Sequence, residues 1–334
     1  MDDGHYALPV FKHDYEADFD WVTDTLGEFG HIEALVSYKE YLAMIAYSYR
    51  SNGTYLHIID KKTGTIIQDA VQYGRGPGEV VSTPKVCLLD DVLYLDDRMA
   101  LSSLRYDLSG LPGSTVRYLG KEDIAGHPIK TVYGSDKQLI LTNASYLEDS
   151  QEIGDRITLQ TGKGEWVYNE YPVEDRKLTW FMYNDPRVVV SPDWTRLAIA
   201  PAYGSLLEIY NIQGGITPIK TKRFIPPDFE VRRANIEFTS KTSYGLKSLV
   251  STKTRIFACM VEGKYPFKVL MEKKMPLFPM LVIFDWEGNP QTSIKTPRDI
   301  YSFAYDEKEN AIYAMLRGPE QSFYLGRMDM SRFK

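Results

Sequence analysis

The stretch MLVIFDWEGNPQTSIK, at residues 280–295, decides the fold because its pattern recurs along the chain. It consists of an apolar run, Asp285, a tight turn containing Gly288 and Asn289, and a second run of partly alternating polarity. Two such runs joined by a short turn are typical of a β-hairpin. Close copies lie at residues 55–68, 104–116 and 206–219, and looser copies at residues 157–167 and 323–330. Six copies of one hairpin indicate a repeat architecture.

The spacing of the copies gives the size of the repeat. The residues that begin the turns are separated by 47, 54, 50, 74 and 44 positions, and they are Asp60, Asp107, Thr161, Asn211, Asp285 and Asp329. A propeller blade of four strands takes roughly 40–50 residues. Two further strand-like runs precede each hairpin, as at residues 32–38 and 41–47. The sequence therefore predicts an all-β protein, a six-bladed β-propeller of four-stranded antiparallel blades in one domain over residues 1–334.

The ends of the chain predict how the ring closes. The sixth repeat stops one strand short near Lys334, and residues 1–31 precede the first repeat. A strand from residues 6–11 or 21–29 would complete the ring and remove an exposed sheet edge, which would otherwise favour aggregation. The interval of 74 predicts insertions in the fifth blade at residues 226–243 and 262–279. We expect the second insertion to be a hairpin extension of its blade, with a lid or docking surface as the alternative.

The composition limits the class of partner. The formal charge of −6 argues against nucleic acid, and the apolar content of 43 % allows a large core. No run of eighteen apolar residues is present to span a membrane. Cys87 and Cys259 each lie in an apolar run, so we expect free thiols rather than a disulfide. The N-terminus lacks the features of a signal peptide, which indicates either a cytosolic protein or a trimmed chain with Met1 added. We expect a monomer.

Four phrases carry a resemblance to a known family. They are GRGPGE at residues 74–79, SPDWTRLAIA at 191–200, FDWEGNP at 284–290 and DIYSFAYDEKENAIYAM at 299–315. Together they resemble the TolB-like six-bladed β-propeller family over residues 32–330. Members of that family are commonly predicted lipoproteins or secreted proteins of Gram-negative bacteria. The resemblance therefore implies a periplasmic or cell-surface location, and it implies no catalytic residue.

The GRGPGE phrase also has a physical interpretation of its own. Its three glycines and one proline are typical of a rigid turn in which positive φ angles are available. It connects the last strand of the first repeat to the first strand of the second, and in a propeller such a connection lies beside the central channel. We expect Arg75 and Glu79 to bond backbone groups of the neighbouring loops. The alternative is that the two side chains are held for a ligand.

Tyr and Arg are frequent in the loops predicted at the channel mouth. Aromatic rings stack on sugars and peptides, and guanidinium groups bind carboxylates with two hydrogen bonds. The candidate ligand-binding residues are Tyr47, Arg50, Arg75, Glu79, Arg98, Tyr146, Trp180, Tyr203, Arg298 and Arg317.

No local signature of catalysis is present. The five His residues show no HExxH or His-x-His spacing, and GxSxG is absent. The pairs Asp90-Asp91 and Asp96-Asp97 could gather Ca²⁺, although we expect a solvated turn and a strand end. We predict no catalytic residue, no metal ligand and no cofactor, with Ca²⁺ in the central channel as the alternative.

The predicted function is a non-catalytic binding or scaffold propeller of the envelope. Its partner would be a glycan, a peptide or an envelope protein. The alternative is a metal-dependent propeller hydrolase or lyase with its site in the central channel, because ligands drawn from different blades leave no local spacing in the sequence.

Overall fold

The repeated hairpins form the blades of a six-bladed β-propeller. The structure is a computed structural model, and it describes residues 5–48, 53–142, 155–232, 235–239, 241–242, 244–263, 266–272, 276–318 and 322–333. Each blade is built on four antiparallel strands. The fold class predicted from the hairpin spacing is confirmed.

Two N-terminal strands precede the first blade, β1 (His13–Glu16) and β2 (Asp20–Glu28). Blade one contains β3 (Ile32–Tyr38), β4 (Tyr41–Ser48), β5 (Thr54–Asp60) and β6 (Ile66–Gln72). Blade two contains β7 (Lys85–Leu89), β8 (Val92–Asp97), β9 (Ser102–Asp107) and β10 (Arg117–Asp123). Blade three contains β11 (Lys130–Tyr133), β12 (Lys137–Leu141), β13 (Ile157–Thr161) and β14 (Gly164–Tyr168).

A short helix, α1 (Arg176–Met182), leads to blade four, which contains β15 (Arg187–Val190), β16 (Arg196–Ala200), β17 (Ser205–Asn211) and β18 (Thr217–Ile225). A separate two-stranded sheet follows, β19 (Phe229–Arg232) and β20 (Asn235–Phe238). Blade five contains β21 (Leu246–Ser251), β22 (Arg255–Met260), β23 (Met280–Asp285) and β24 (Pro290–Lys295), with α2 (Phe267–Glu272) between β22 and β23. Blade six contains β25 (Asp299–Asp306), β26 (Ala311–Arg317) and β27 (Ser322–Asp329), and a 3₁₀ turn, Met330–Arg332, follows.

The chain divides into two compact units, each with its own core. Unit 1 comprises residues 1–18, 137–300 and 333–334, and unit 2 comprises residues 19–136 and 301–332. In unit 2, Met44 of blade one packs in a cluster with Met315 and Leu325 of blade six. In unit 1, Leu207 of blade four packs in a cluster with Phe284 of blade five. Middle strands are apolar on both faces because a neighbouring blade covers each face.

The N-terminal segment completes blade six and extends blade five. β2 pairs antiparallel with β27, Trp21 opposite Gly326, and gives blade six its fourth strand. β1 pairs in parallel with β24, His13 opposite Thr292, and adds a fifth strand to blade five. Closure by residues 21–29 is therefore confirmed. Residues 6–11, the other predicted source of the closing strand, lie outside the strands.

The insertions in the fifth repeat take different forms. Residues 226–243 contain the β19–β20 hairpin. Residues 262–279, expected as a hairpin extension, instead contain α2, with Leu270 buried. Lys, Leu, Met and Glu favour a helix, and Pro266 directly before the helix suits a helix start. Cys87 and Cys259 are free thiols, as predicted.

Deletion of residues 1–30 should destabilise the folded propeller. Without β1 and β2, strands β24 and β27 each expose a row of unpaired backbone groups, which favours aggregation. We expect aggregated or protease-sensitive protein by size-exclusion chromatography and limited proteolysis. Deletion of residues 1–12, which keeps both strands, is the matched control. A 1–30 deletion variant that stays monomeric with the thermal midpoint of the full chain would contradict the closure.

Candidate functional site

The GRGPGE loop joins β6 to β7 in unit 2 and is braced from within. Gly74 N donates to Val80 O at 2.9 Å, and Val80 N donates to Gln72 O at 3.0 Å, which closes the base of the loop. The Glu79 carboxylate accepts from Gly76 N at 2.6 Å. A Cβ on Gly74 would lie 2.0 Å from Glu79 Oε2, so only glycine fits there without moving the brace.

Blade two holds the far side of the loop. Gly78 has a φ of +75°, and its carbonyl oxygen accepts a hydrogen bond from the Tyr106 hydroxyl at 2.5 Å. Burial raises the pKa of Tyr106, and Tyr118 and Glu79 raise it further. The hydroxyl therefore keeps its proton and remains a donor to the loop. The loop is therefore held at both ends, and its glycines allow the backbone conformation that these bonds require.

Asp97 ties the end of this loop to the turn at residues 98–101. Its fully buried carboxylate accepts from Val81 N at 2.5 Å and from Ser82 Oγ at 2.6 Å. The same carboxylate accepts from Met99 N at 3.1 Å and from Ala100 N at 3.2 Å. Because one carboxylate bonds both segments, the turn carrying Arg98 is held beside the GRGPGE loop.

Three of the four carboxylates that the sequence offers for Ca²⁺, those of Asp91, Asp96 and Asp97, have protein partners. Asp96 accepts from Ser103 Oγ at 2.6 Å and from the Tyr133 hydroxyl at 2.9 Å, and burial raises its pKa. Asp91, at the other end of β8, accepts from the Tyr38 hydroxyl at 2.6 Å. Within the described ranges, no group of three or more His, Cys, Asp and Glu is placed to hold a metal ion. The prediction of a Ca²⁺-free protein stays a prediction.

Five exposed or half-buried side chains of unit 2 lie on or next to the segments that this frame holds, and we call them together the GRGPGE surface: Tyr47, Tyr73, Arg75, Arg98 and Met99. Tyr73 is 59 % exposed and Met99 is 77 % exposed. The half-buried Tyr47 ring packs on Tyr55 at 5.3 Å between centroids. Burial raises the pKa of Tyr55, and Tyr47, Tyr73 and Asp97 lie near enough to raise it further.

The guanidinium groups of Arg75 and Arg98 are exposed, and neither bonds or pairs with another residue of the part of the chain that the structure describes. Arg105, another arginine of unit 2, does pair, with Glu122 at 3.0 Å. Glu79 bonds a backbone amide, although in its own loop rather than a neighbouring one. The expectation that Arg75 bonds backbone groups is not met among the described residues.

The remaining candidates lie elsewhere. Arg317 is exposed at the end of β26 in unit 2. Arg298, in unit 1, pairs with Asp18, with Nη2 2.9 Å from Oδ2. Arg50 and Tyr146 lie outside the described residues. That these loops share the mouth of the central channel stays a prediction.

Trp180 and Tyr203 belong to a chain of aromatic contacts in unit 1. The rings in order of contact are Trp180, Phe181, Phe229, Tyr203, Tyr244 and Phe278, with centroids 4.6, 6.5, 5.9, 5.7 and 5.9 Å apart. Phe181 and Phe278 are buried, and burial raises the pKa of Tyr203. These rings pack α1 and the β19–β20 hairpin onto blades four and five.

Sequence reasoning missed Tyr73 and Met99. Tyr73 directly precedes the GRGPGE phrase and Met99 follows Arg98, so adjacency to the motif and to a candidate residue was the available signal. It missed Asp97 as the brace because the donors Val81 and Ser82 lie 16 and 15 residues away in sequence.

The fold and its loop-borne surface define a β-propeller with a candidate binding site. The sequence model of the family described as TolB-like 6-blade propeller-like matches residues 43–308. The chain belongs to this TolB-like six-bladed propeller family. No curated protein matches it in sequence. Among the described residues, no helix is long and apolar enough to cross a membrane.

Three solved structures share the fold. A Bacteroides fragilis NCTC 9343 protein, provisionally described as exported, is 11 % identical with a TM-score of 0.60, over 95 % of this chain and 98 % of that one. A DUF4221-family protein from Bacteroides vulgatus ATCC 8482 is 8 % identical with a TM-score of 0.53, over 97 % and 96 %. U3-55K is 9 % identical with a TM-score of 0.55, over 94 % and 100 %. At these identities the likeness shows the fold alone.

The brace and the free guanidinium should respond differently to truncation. Glu79→Ala should lower the free energy of unfolding by about 1–2 kcal/mol, because Gly76 N loses a charged acceptor. Arg75→Ala should leave the free energy of unfolding within about 0.5 kcal/mol of the parent, because its side chain is exposed and unbonded. Urea denaturation of both variants measures the difference. A clear loss of stability in Arg75→Ala would show that the side chain supports the fold.

Proposed function

We propose that the chain is a non-catalytic binding propeller of the bacterial envelope that recognises an anionic partner at the GRGPGE surface. The partner is a carboxylate-bearing glycan, peptide or protein segment. The observation that carries this proposal is the pair of exposed guanidinium groups, Arg75 and Arg98, on loops that share the buried Asp97 carboxylate.

The chemistry of the surface fits such a partner. A guanidinium group is planar and binds a carboxylate with two parallel hydrogen bonds. Tyr73 and Met99 add exposed apolar area beside the two charges, which a sugar face or an apolar side chain can cover. Because Glu79 and Asp97 already hold the loops, little conformational freedom is lost on binding. Pre-organisation of this kind favours affinity.

Charge supports the same conclusion. The chain carries a formal charge of −6, with 45 Asp and Glu residues available to neutralise arginines. Arg75 and Arg98 pair with no described carboxylate, so positive charge is available on this loop and turn although the protein is acidic overall. The envelope location is supported by the family, whose members are commonly predicted lipoproteins or secreted proteins, and by the provisional description of the Bacteroides fragilis protein as exported.

Calorimetric titration with four polymers tests the proposal. Polygalacturonate and poly-glutamate supply carboxylates on a glycan and on a peptide, and dextran and poly-lysine are their neutral and cationic counterparts. We expect binding to a carboxylate-bearing polymer only, weakened by salt because the charges are exposed. Arg75→Ala and Arg98→Ala should each weaken that binding about tenfold, the equivalent of about 1.4 kcal/mol.

Arg255→Ala is the matched control, because Arg255 is an exposed arginine at the start of β22 and its loss changes the net charge equally. Binding that falls equally in the control would reduce the effect to net charge and overturn the site. Equal binding of dextran would overturn the charge argument. Metal-dependent cleavage of a bound polymer would overturn the non-catalytic assignment in favour of the hydrolase or lyase.

A further inference from the structure

A cavity of about 470 Å³ lies in unit 1 between the N-terminal segment and blade five. This volume falls within the range of small-molecule sites, roughly 300–1,000 Å³. Its apolar lining comes from Leu8 and Phe11 of the N-terminal segment and from Met260, Val261 and Met280 of blade five. The cavity is distinct from the GRGPGE surface, which lies in unit 2.

The wall contributed by the N-terminal segment is anchored on both sides of β1. Lys12 N donates to Gln291 O at 3.1 Å, and Ala17 N donates to Lys295 O at 3.0 Å. Between them Ser293 Oγ donates to the Asp14 carboxylate. Phe11 packs on Phe284 with ring centroids 6.0 Å apart. The cavity is therefore bounded by a strand held in register with blade five.

Gly263, on the blade-five side of the cavity, leaves space for the Leu8 side chain of the N-terminal segment. A Cβ at this position would lie 2.5 Å from Leu8 Cδ2, so a larger residue would displace the leucine. Leu8 is 48 % exposed, which leaves apolar area that a ligand can cover. The apolar lining alone favours a hydrophobic ligand body.

The polar lining is acidic. Asp14, Glu16 and Glu262 line the cavity together with one cation, Lys295. Lys295 Nζ lies 3.1 Å from Glu262 Oε1, so this pair is neutral overall. Asp14 has its bond from Ser293, whereas Glu16 is exposed and makes no bond or ion pair with another described residue. Among the described residues, the lining thus carries three carboxylates against one ammonium group, and the Glu16 carboxylate is available to a ligand.

We propose that this cavity binds a small organic cation, an ammonium group that carries a short alkyl chain. The alkyl chain lies against Leu8, Met260 and Met280, and the ammonium group pairs with Glu16. An anionic amphiphile is disfavoured, because its head would face three carboxylates with only one lysine, already paired.

Methyl NMR and calorimetry with n-hexylammonium test this assignment on the full chain. With ¹³C-methyl methionine, we expect the Met260 and Met280 signals to shift on titration, while methionines outside the cavity do not. n-Hexanoate keeps the chain and reverses the charge, and methylammonium keeps the charge and removes the chain. Both should bind at least about tenfold more weakly, a loss of about 1.4 kcal/mol.

Glu16→Gln should weaken n-hexylammonium binding about tenfold, because it removes the charge that pairs with the ammonium group. Glu287→Gln, an exposed glutamate in the β23–β24 turn of the same blade, is the matched control and should bind as the parent does. Leu8→Ser should also weaken binding, through lost apolar contact. Each of four outcomes would overturn the proposal: no binding, equal binding of n-hexanoate, no effect of Glu16→Gln, or shifts confined to other methionines.

Discussion

The antiparallel pairing of β2 with β27 is the constraint on which the propeller depends. A strand at the end of a sheet exposes a row of backbone donors and acceptors, and another chain can pair with them. If the strands of every blade followed one another in sequence, blade six would have only three strands and β27 would be such an edge, because β27 is the last strand of the chain. The chain supplies the missing partner from its other end, so strands some 300 residues apart in sequence must meet before blade six is complete. Contacts of that sequence separation form slowly, because the loop they close is long.

Sandwiched blades impose a second condition, because polar groups buried between neighbouring blades lose their contact with water. In unit 2 the buried Lys61 meets that condition by pairing with Asp306, and the Ser37 hydroxyl bonds both. In unit 1 the buried Arg156 donates to both oxygens of Glu208, at 2.7 and 2.9 Å. The Tyr183 and Tyr210 hydroxyls donate to the same carboxylate, and burial raises the pKa of both tyrosines. Buried pairs of this kind cost desolvation, and removing one partner costs more than the pair contributes, so each pair constrains which blades can lie side by side.

These partners explain where sequence reasoning stops. The hairpin phrase and its spacing are local, and they were enough to predict six blades and closure by the N-terminal segment, although they left two candidates for the closing strand. Arg156 and Glu208 lie 52 positions apart, and Lys61 and Asp306 lie 245 apart, so no local pattern connects them. The strand pattern also did not predict the helix in residues 262–279, because α2 has only 6 residues, too few to show a helical periodicity in the sequence. At the candidate site the motif predicted a turn between β6 and β7, but it did not show that Glu79 bonds Gly76 N in its own loop while Arg75 stays exposed.

The charged residues of unit 2 differ in role, because two of the acidic ones bond the backbone and two of the arginines bond no described residue. Glu79 bonds the backbone of its own loop, and Asp97 joins that loop to the next turn, so both acids contribute to the fold. Arg75 and Arg98 sit on the segments that these acids hold, yet they take no described partner. Arg105 and Arg117 of the same unit do have partners, Glu122 and Asp107. Groups that the fold does not use, placed on a rigid frame, are the arrangement expected of a surface that meets a partner, because natural proteins keep binding groups that contribute nothing to stability.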